Sequence, residues 1–262
     1  MPYRIDLPQP GDDIFDRLIE LGALDVEVWE EAAAALMPDS VTPEEVRAAL
    51  GAPVVISPVG GRDAGSVWIL RRRPIQAGPV RIVPAGMDAG PGGIQLIDAP
   101  AFGTGLHPTT ALCLDILGEI VARDRPEAVL DLGTGSGVLA LAALRLGVPH
   151  ALGLDVDEQA LRTAAENARI NDLVTRLHLV HGGPDADDGT WPLVLANVLA
   201  APLIEMAPSL VRRAGHHGRL VLSGIPQSVE PDVDRVYRHL GMHRVDTRSR
   251  AGWVALVMQA SW

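Results

Sequence analysis

Three short stretches combine residue types that can hold a ligand and act on it: DLGTGSG (131–137), GLDVDEQA (153–160) and ANVLAAPL (196–203). In the first, glycines at 133, 135 and 137 let the backbone turn sharply and pass close to a ligand without Cβ clashes, so that its amides can face a polar group. The spacing is Gly-x-Gly-x-Gly with Asp131 two residues ahead of Gly133. That differs from the Gly-x-Gly-x-x-Gly turn that cradles a pyrophosphate. A merely structural turn is the alternative. Asp155 lies 22 residues after Gly133, where a carboxylate at a strand end can accept hydrogen bonds from both hydroxyls of a ribose. The plainer reading is that Asp155 or Asp157 caps the next helix, and Asp157 is the better placed for it. A ligand with a ribose but no pyrophosphate points to S-adenosylmethionine. Asn197 ends an apolar run, where an amide is costly to bury unless it is fully hydrogen-bonded. It can offer its carbonyl to an incoming amine, or it can cap the following helix.

A fourth stretch, AFGTGLHPTT (101–110), sets two glycines, a histidine, a proline and three threonines just before a clean helical pattern. A buried core segment would use apolar side chains there. The stretch is either an ordinary loop or a surface shaped to hold a polar ligand.

Positioning these groups falls to a regular alternation that begins near residue 126. Strand patterns at 128–133, 150–156, 176–180, 192–198 and 218–224 interleave with helical patterns at 138–146, about 158–171, 202–213 and 228–240, and two strand patterns follow at 242–248 and 252–259. Strands alternating with helices of this length predict parallel βαβ units and an α/β, doubly wound, mostly parallel sheet covered on both faces. In such sheets ligands bind outside the carboxyl ends of the strands, and all three motifs sit at such ends.

The first hundred residues read differently. Helix-like patterns at 12–36 and 42–50 are separated by Pro38, and Thr42-Pro43-Glu44-Glu45 is a helix start with a threonine cap and proline at the first helical position. Strands are expected at 53–57 and 66–70, and VRIV (80–83) and IQLI (94–97) lie within a glycine- and proline-rich stretch. The expected organisation is a small N-terminal α+β module at 1–65, a connector with strands at 66–98 and the main domain at 99–262.

Composition narrows the classes. With 47% hydrophobic residues the chain can bury a sizeable core, unlike a disordered chain. It shows neither a long apolar span nor a basic-then-apolar leader, and a cytoplasmic, non-membrane protein is expected. Cys113 is the single cysteine, which excludes an intramolecular disulfide and a multi-cysteine metal site. A net charge of -11 argues against direct nucleic-acid binding, which needs clustered cations, and suits a basic protein partner. All 22 basic residues are arginine, which reads as a compositional bias of the source.

In order and spacing, AFGTGLHPTTALCL, VLDLGTGSGVLALAALRLG, GLDVDEQAL and ANVLAAPL resemble the bacterial methyltransferases that trimethylate large-subunit ribosomal protein L-eleven, over about residues 66–262 and including LVLSGI (220–225) and WVAL. The resemblance implies a class I methyltransferase with a seven-stranded sheet, using S-adenosylmethionine to methylate lysine or N-terminal amines of a ribosomal protein. It implies that 101–110 covers the cofactor, with Phe102, Gly103, Thr104 and Gly105 packing along it. Thr110, Gly133, Asp155 and Asn197 would contact cofactor or reacting centre, with Asp131, Gly135 and Gly137 of the same turn among the cofactor contacts. His107 would lie near the methyl-transfer site, as a proton acceptor or as a pocket wall. Leu106 stands where the family has threonine or histidine, and before residue 66 the family's longer substrate-recognition domain finds no convincing match.

Other candidates are weaker. His216-His217 in a GHHG turn lack the i, i+4 spacing of a helical metal pair, so no metal is expected. Arg71-Arg72-Arg73 reads as a solvated connector, and Trp68, Trp191 and Trp253 as packing residues. The competing functions are methylation of another protein or a small amine, a non-enzymatic scaffold, and a nucleotide-binding oxidoreductase. A base-flipping nucleic-acid methyltransferase is disfavoured, because ANVL lacks the prolines and aromatic residue that would stack an extruded base. A monomer is expected.

Overall fold

The computed structural model describes residues 2–8, 11, 13–28, 32–58, 74–97, 99, 107–250 and 252–262. The chain divides into two compact units, residues 1–73 with 98–100 and residues 74–97 with 101–262.

In the first unit, β1 (Tyr3–Pro8), α1 (Ile14–Glu20), β2 (Asp25–Val28), β3 (Ala32–Met37), α2 (Pro43–Leu50) and β4 (Val55–Pro58) form a βαββαβ pattern. The sheet order is β2-β3-β1-β4 with every neighbouring pair antiparallel, the arrangement of two interlocked split βαβ units. The helical pattern expected over 12–36 is therefore only partly present. Helix α1 stops at Leu21 and Gly22, the latter at φ 86, and 32–37 is a strand although its sequence is AAAALM. Alanine favours helix locally. Here the run lies between two partner strands, and Ala33, Ala34 and Ala35 are fully buried, a packing environment that overrides propensity. Helix α2 starts as expected, with a reciprocal capping box between Thr42 and Glu45. The strand expected at 66–70 and the Arg71-Arg72-Arg73 run lie outside the described residues.

The second unit begins with a small sheet of β5 (Ile75–Ala77), β6 (Val80–Pro84) and β7 (Ile94–Leu96), in the order β5-β6-β7. The chain continues through α3 (Pro108–Asp124), β8 (Ala128–Leu132), α4 (Val138–Leu146), β9 (His150–Asp155), α5 (Glu158–Ile170), β10 (Leu177–His181), β11 (Trp191–Asn197), α6 (Ala200–Glu205), α7 (Ala207–Arg213), β12 (Ala214–Pro226), α8 (Glu230–His239), β13 (Met242–Arg250) and β14 (Trp253–Ala260). The helix expected at 202–213 is two helices, since Pro208 in the first turn of α7 cannot donate a backbone bond to an unbroken predecessor. His216 and His217 fall within β12 rather than a turn.

These strands make one sheet in the order β10-β9-β8-β11-β12-β14-β13. From β10 through β12 every pair is parallel, and β14 runs antiparallel to both its neighbours. The alternation seen in sequence thus gives an α/β, mostly parallel seven-stranded sheet. Its chain direction reverses between β8 and β11: from β8 the next two strands add on one side, and β11 then returns to the other. Such a switch point opens a crevice at the carboxyl ends of the two strands. Gly133 follows β8 and Asn197 ends β11. The strand interiors are apolar, with Leu130, Val194, Ala196, Leu220 and Leu222 fully buried in one cluster, so the polar residues at these ends stand out from what surrounds them.

Candidate functional site

After β8 the chain turns through Gly133, Gly135 and Gly137 at φ 67, 56 and 81, left-handed values that glycine adopts at least cost. At Gly133 a Cβ would meet Cγ1 of Val198 at 2.4 Å. The residue after Asn197 thus packs directly on the glycine turn. The turn is closed by Gly137 N–H donating to the Thr134 carbonyl at 2.8 Å, and is tied to β9 by the amides of Gly133 and Thr134, which donate to the Leu154 carbonyl.

Asp131 is fully buried beneath the turn. Its Oδ2 accepts from the Thr134 hydroxyl at 2.8 Å and the Ala140 amide at 3.2 Å, while Oδ1 has no hydrogen-bond partner among the described residues. Burial raises its pKa to about 6, against the lowering effect of those two bonds. Asp155 is half-buried at the end of β9, its Oδ2 accepting from the Gly135 amide at 2.9 Å and Oδ1 from the Asp157 amide at 3.0 Å. Asp157 is the N-cap of α5, accepting from the Gln159 amide, which leaves the Asp155 carboxylate turned to the glycine turn.

Asn197 is nine-tenths buried. Its Nδ2 donates to Thr110 Oγ1 at 3.3 Å, joining residues 87 apart in sequence, and its Oδ1 has no hydrogen-bond partner among the described residues. It does not cap the next helix: Leu199 is the N-cap of α6 and no side chain bonds there. Thr110 is fully buried in the first turn of α3. His107 caps that helix, its Nδ1 accepting from the Thr109 amide and lying 2.8 Å from Thr109 Oγ1. Burial lowers its pKa to about 4, so the ring is neutral at physiological pH.

Contacts therefore run from His107 and Thr110 through Asn197 and Val198 to Gly133, Gly135 and Asp155. Phe102, Gly103, Thr104, Gly105 and Leu106 lie outside the described residues. Sequence reasoning missed two contributors. The Trp253 ring meets that of His107 edge-to-face with centroids 5.1 Å apart, and nothing in its apolar surroundings marked it apart from a core tryptophan. Asn167 of α5 bonds both the glycine turn and the Ile97 amide just past β7, while Asn171, the C-cap of α5, bonds Gln95 of β7 and not the turn; two buried asparagines four apart at a helix end, where they are poor helix formers, were a usable signal. Cys113 is buried in α3 with its thiol pushed up to about 12 by desolvation, which makes it unreactive. Trp68 lies outside the described residues, and Trp191 bonds Asp187 through its indole N–H.

Residues 65–261 match the family model described as ribosomal protein L11 methyltransferase. The chain belongs to the ribosomal protein L11 methyltransferase family. Among its curated relatives, the ribosomal protein L11 methyltransferase of Pelobacter propionicus is 39% identical over 78% of this chain and 68% of its own length. That of Myxococcus xanthus is 32% identical over 97% of this chain and 96% of its own length, so the likeness in that relative extends well ahead of residue 66. Among solved structures, the ribosomal protein L11 methylase of Lactobacillus delbrueckii subsp. bulgaricus superposes with a TM-score of 0.64 at 30% identity, covering 72% of this chain and 99% of that one. The chain is a methyltransferase whose cofactor is S-adenosylmethionine. Among the described residues no helix is long and apolar enough to cross a membrane.

The residues present fit that cofactor. A glycine turn open to close approach, a carboxylate at the end of β9 and a buried side-chain carbonyl without a partner among the described residues converge at the sheet's switch point.

Proposed function

We propose that this protein methylates lysine or N-terminal amines of a basic ribosomal protein of the L11 type in the cytoplasm, acting as a monomer. The observation that carries the reading is the Asn197 carbonyl, buried and without a hydrogen-bond partner among the described residues, its side-chain amide bonded to Thr110 beside the glycine turn. A buried acceptor left open is costly unless something completes it, and an amine nitrogen bearing hydrogens does so. The net charge of -11 favours a basic substrate and disfavours direct contact with nucleic acid.

S-adenosylmethionine supplies a methyl group already activated for transfer to a neutral amine. What remains for the chain is positioning, which can be worth about 7–11 kcal/mol. Asp155 and the close-approaching backbone of the turn at Gly133, Gly135 and Gly137 are assigned to hold the cofactor, with Asp131 supporting the turn from below, and Phe102, Gly103, Thr104 and Gly105 to line it. Asn197 accepts a hydrogen bond from the amine and sets its lone pair. A lysine amine with a reference pKa of about 10.4 has to lose a proton first, and an apolar environment favours the neutral form. His107, neutral and held by Thr109 and Trp253, is assigned to the wall of the amine site; with its protonated form disfavoured by burial it is a poor acceptor for that proton, which is assigned to solvent.

The test is incubation with labelled S-adenosylmethionine and ribosomal proteins from cells that lack the modification. Label on an L11-type protein is expected. Label on none of them, with a small amine or another protein labelled instead, would move the substrate to a second class.

A further inference from the structure

Asn167 belongs to neither the chemistry nor the core, yet it is wholly buried and every polar atom of its side chain is engaged. Its Nδ2 donates to the Ser136 carbonyl at 2.8 Å, and its Oδ1 accepts from the Ile97 amide at 2.7 Å. The Ser136–Gly137 peptide is thereby held at both ends, its carbonyl by Asn167 and its N–H by the Thr134 carbonyl. One turn further along α5, Asn171 takes both backbone groups of Gln95 and donates to the Asn167 carbonyl, but it has no bond to the glycine turn. The two asparagines bond backbone groups two residues apart, at Gln95 in β7 and at Ile97 just past its end, and of these bonds only those of Asn167 reach the turn.

We infer that Asn167 is a positioning residue for cofactor binding, its amide fixing the Ser136–Gly137 peptide of the glycine turn and fastening that peptide to Ile97, the residue that follows β7. The inference rests on the assignment of the turn to S-adenosylmethionine. A peptide whose carbonyl loses the Asn167 donor can rotate, carrying the Gly137 N–H and the neighbouring Gly135 amide out of line. Ligand affinity then falls even though the fold persists. Asn171 provides the matched comparison: same helix end, neighbouring partner residue, no bond to the turn.

The experiment is calorimetric titration of the full chain with S-adenosylmethionine for Asn167→Ala and Asn171→Ala, with thermal melts of both. For Asn167→Ala the dissociation constant is expected to rise about tenfold, the cost of one buried carbonyl left without its donor. The cofactor KM should rise in step on an L11-type protein while kcat stays within about twofold, because a residue that only positions the cofactor leaves the amine alone. Asn171→Ala should lose comparable thermal stability with an affinity close to that of the unchanged protein. Equal affinity losses in the two variants would overturn the inference and make Asn167 simply structural. Should Asn167→Ala not fold, amide exchange in the unchanged protein decides. Cofactor binding should slow exchange at Ile97 as well as at Gly137, and protection confined to the turn would overturn the coupling. Gly133→Val separates the two readings. Undiminished affinity there would defeat the assignment of the turn to the cofactor, whereas lost affinity there with an unaffected Asn167→Ala would defeat the bridge alone.

Discussion

Asn167 and Asn197 are both buried asparagines within reach of the glycine turn, and they differ in one respect. Asn167 has both polar atoms of its side chain bonded to backbone; Asn197 has its amide met by Thr110 and its carbonyl met by nothing described. Replacing a fully satisfied buried amide leaves partners stranded, so its removal is felt in stability. Replacing one whose acceptor is already open strands little, so its removal is felt where that acceptor is used. The pair separates a residue that builds the site from one that the reaction consults.

Alanine substitution is the most direct way to break this contrast. Asn197→Ala is expected to lower kcat/KM about a hundredfold, as loss of orientation at a reacting centre does, with stability changed by less than about 0.5 kcal/mol. Full activity would place Asn197 with Asn167 among the structural groups. Asn167→Ala should cost about 2 kcal/mol of unfolding free energy in urea, since it removes the acceptor of the Ile97 amide and the Asn167 donor to the Ser136 carbonyl. A smaller loss than that of Asn197→Ala would reverse the contrast. Asp155→Ala should weaken cofactor binding by at least about tenfold, the loss of charge-assisted bonds, while the fold remains, because Asp157 still caps α5. Unchanged affinity would remove Asp155 from the site.

The smallest effect is on pH dependence. His107 is held at about 4 by burial, below its usual value of about 6.5, so the stability of its neutral folded form is lost as pH falls from about 6.5 towards 4. Asp131 is held at about 6, above the usual value of about 3.9, so its contribution is present at low pH and lost as pH rises through about 6. The two slopes oppose each other over the same window. Asp131→Asn removes one of them, and the unfolding free energy should then climb more steeply between about pH 4 and 6 than in the unchanged protein. An identical slope would mean that Asp131 does not retain its proton in that range.

The alternating strands and helices from residue 126 onward were legible because one dominant signal, apolar periodicity, decides each element; α4 runs over 138–146 and stops at Gly147, as its pattern predicts. The AAAALM segment was not legible, because its strand conformation comes from neighbours on both sides rather than from its own preferences. The polar groups at the ends of β8, β9 and β11 could be picked out as exceptions within apolar runs. Trp253 could not, since an aromatic residue in an apolar strand looks the same whether it meets a histidine or a leucine. Asn167 could be noticed as a poor helix former but not assigned a role: its partners, Ser136 and Ile97, are 31 and 70 residues away, and it bonds their backbone atoms, which carry no sequence identity.

The way Asn171 meets β7 has a consequence for solubility. A side-chain amide carries the same donor and acceptor as a peptide, so in bonding both the N–H and the C=O of Gln95 it serves as a strand one residue long. With the amide of Ile97, just past β7, also taken by Asn167, the backbone groups of Gln95 and the Ile97 amide are already engaged, so that among the described residues this edge presents a shortened row of groups to a second chain.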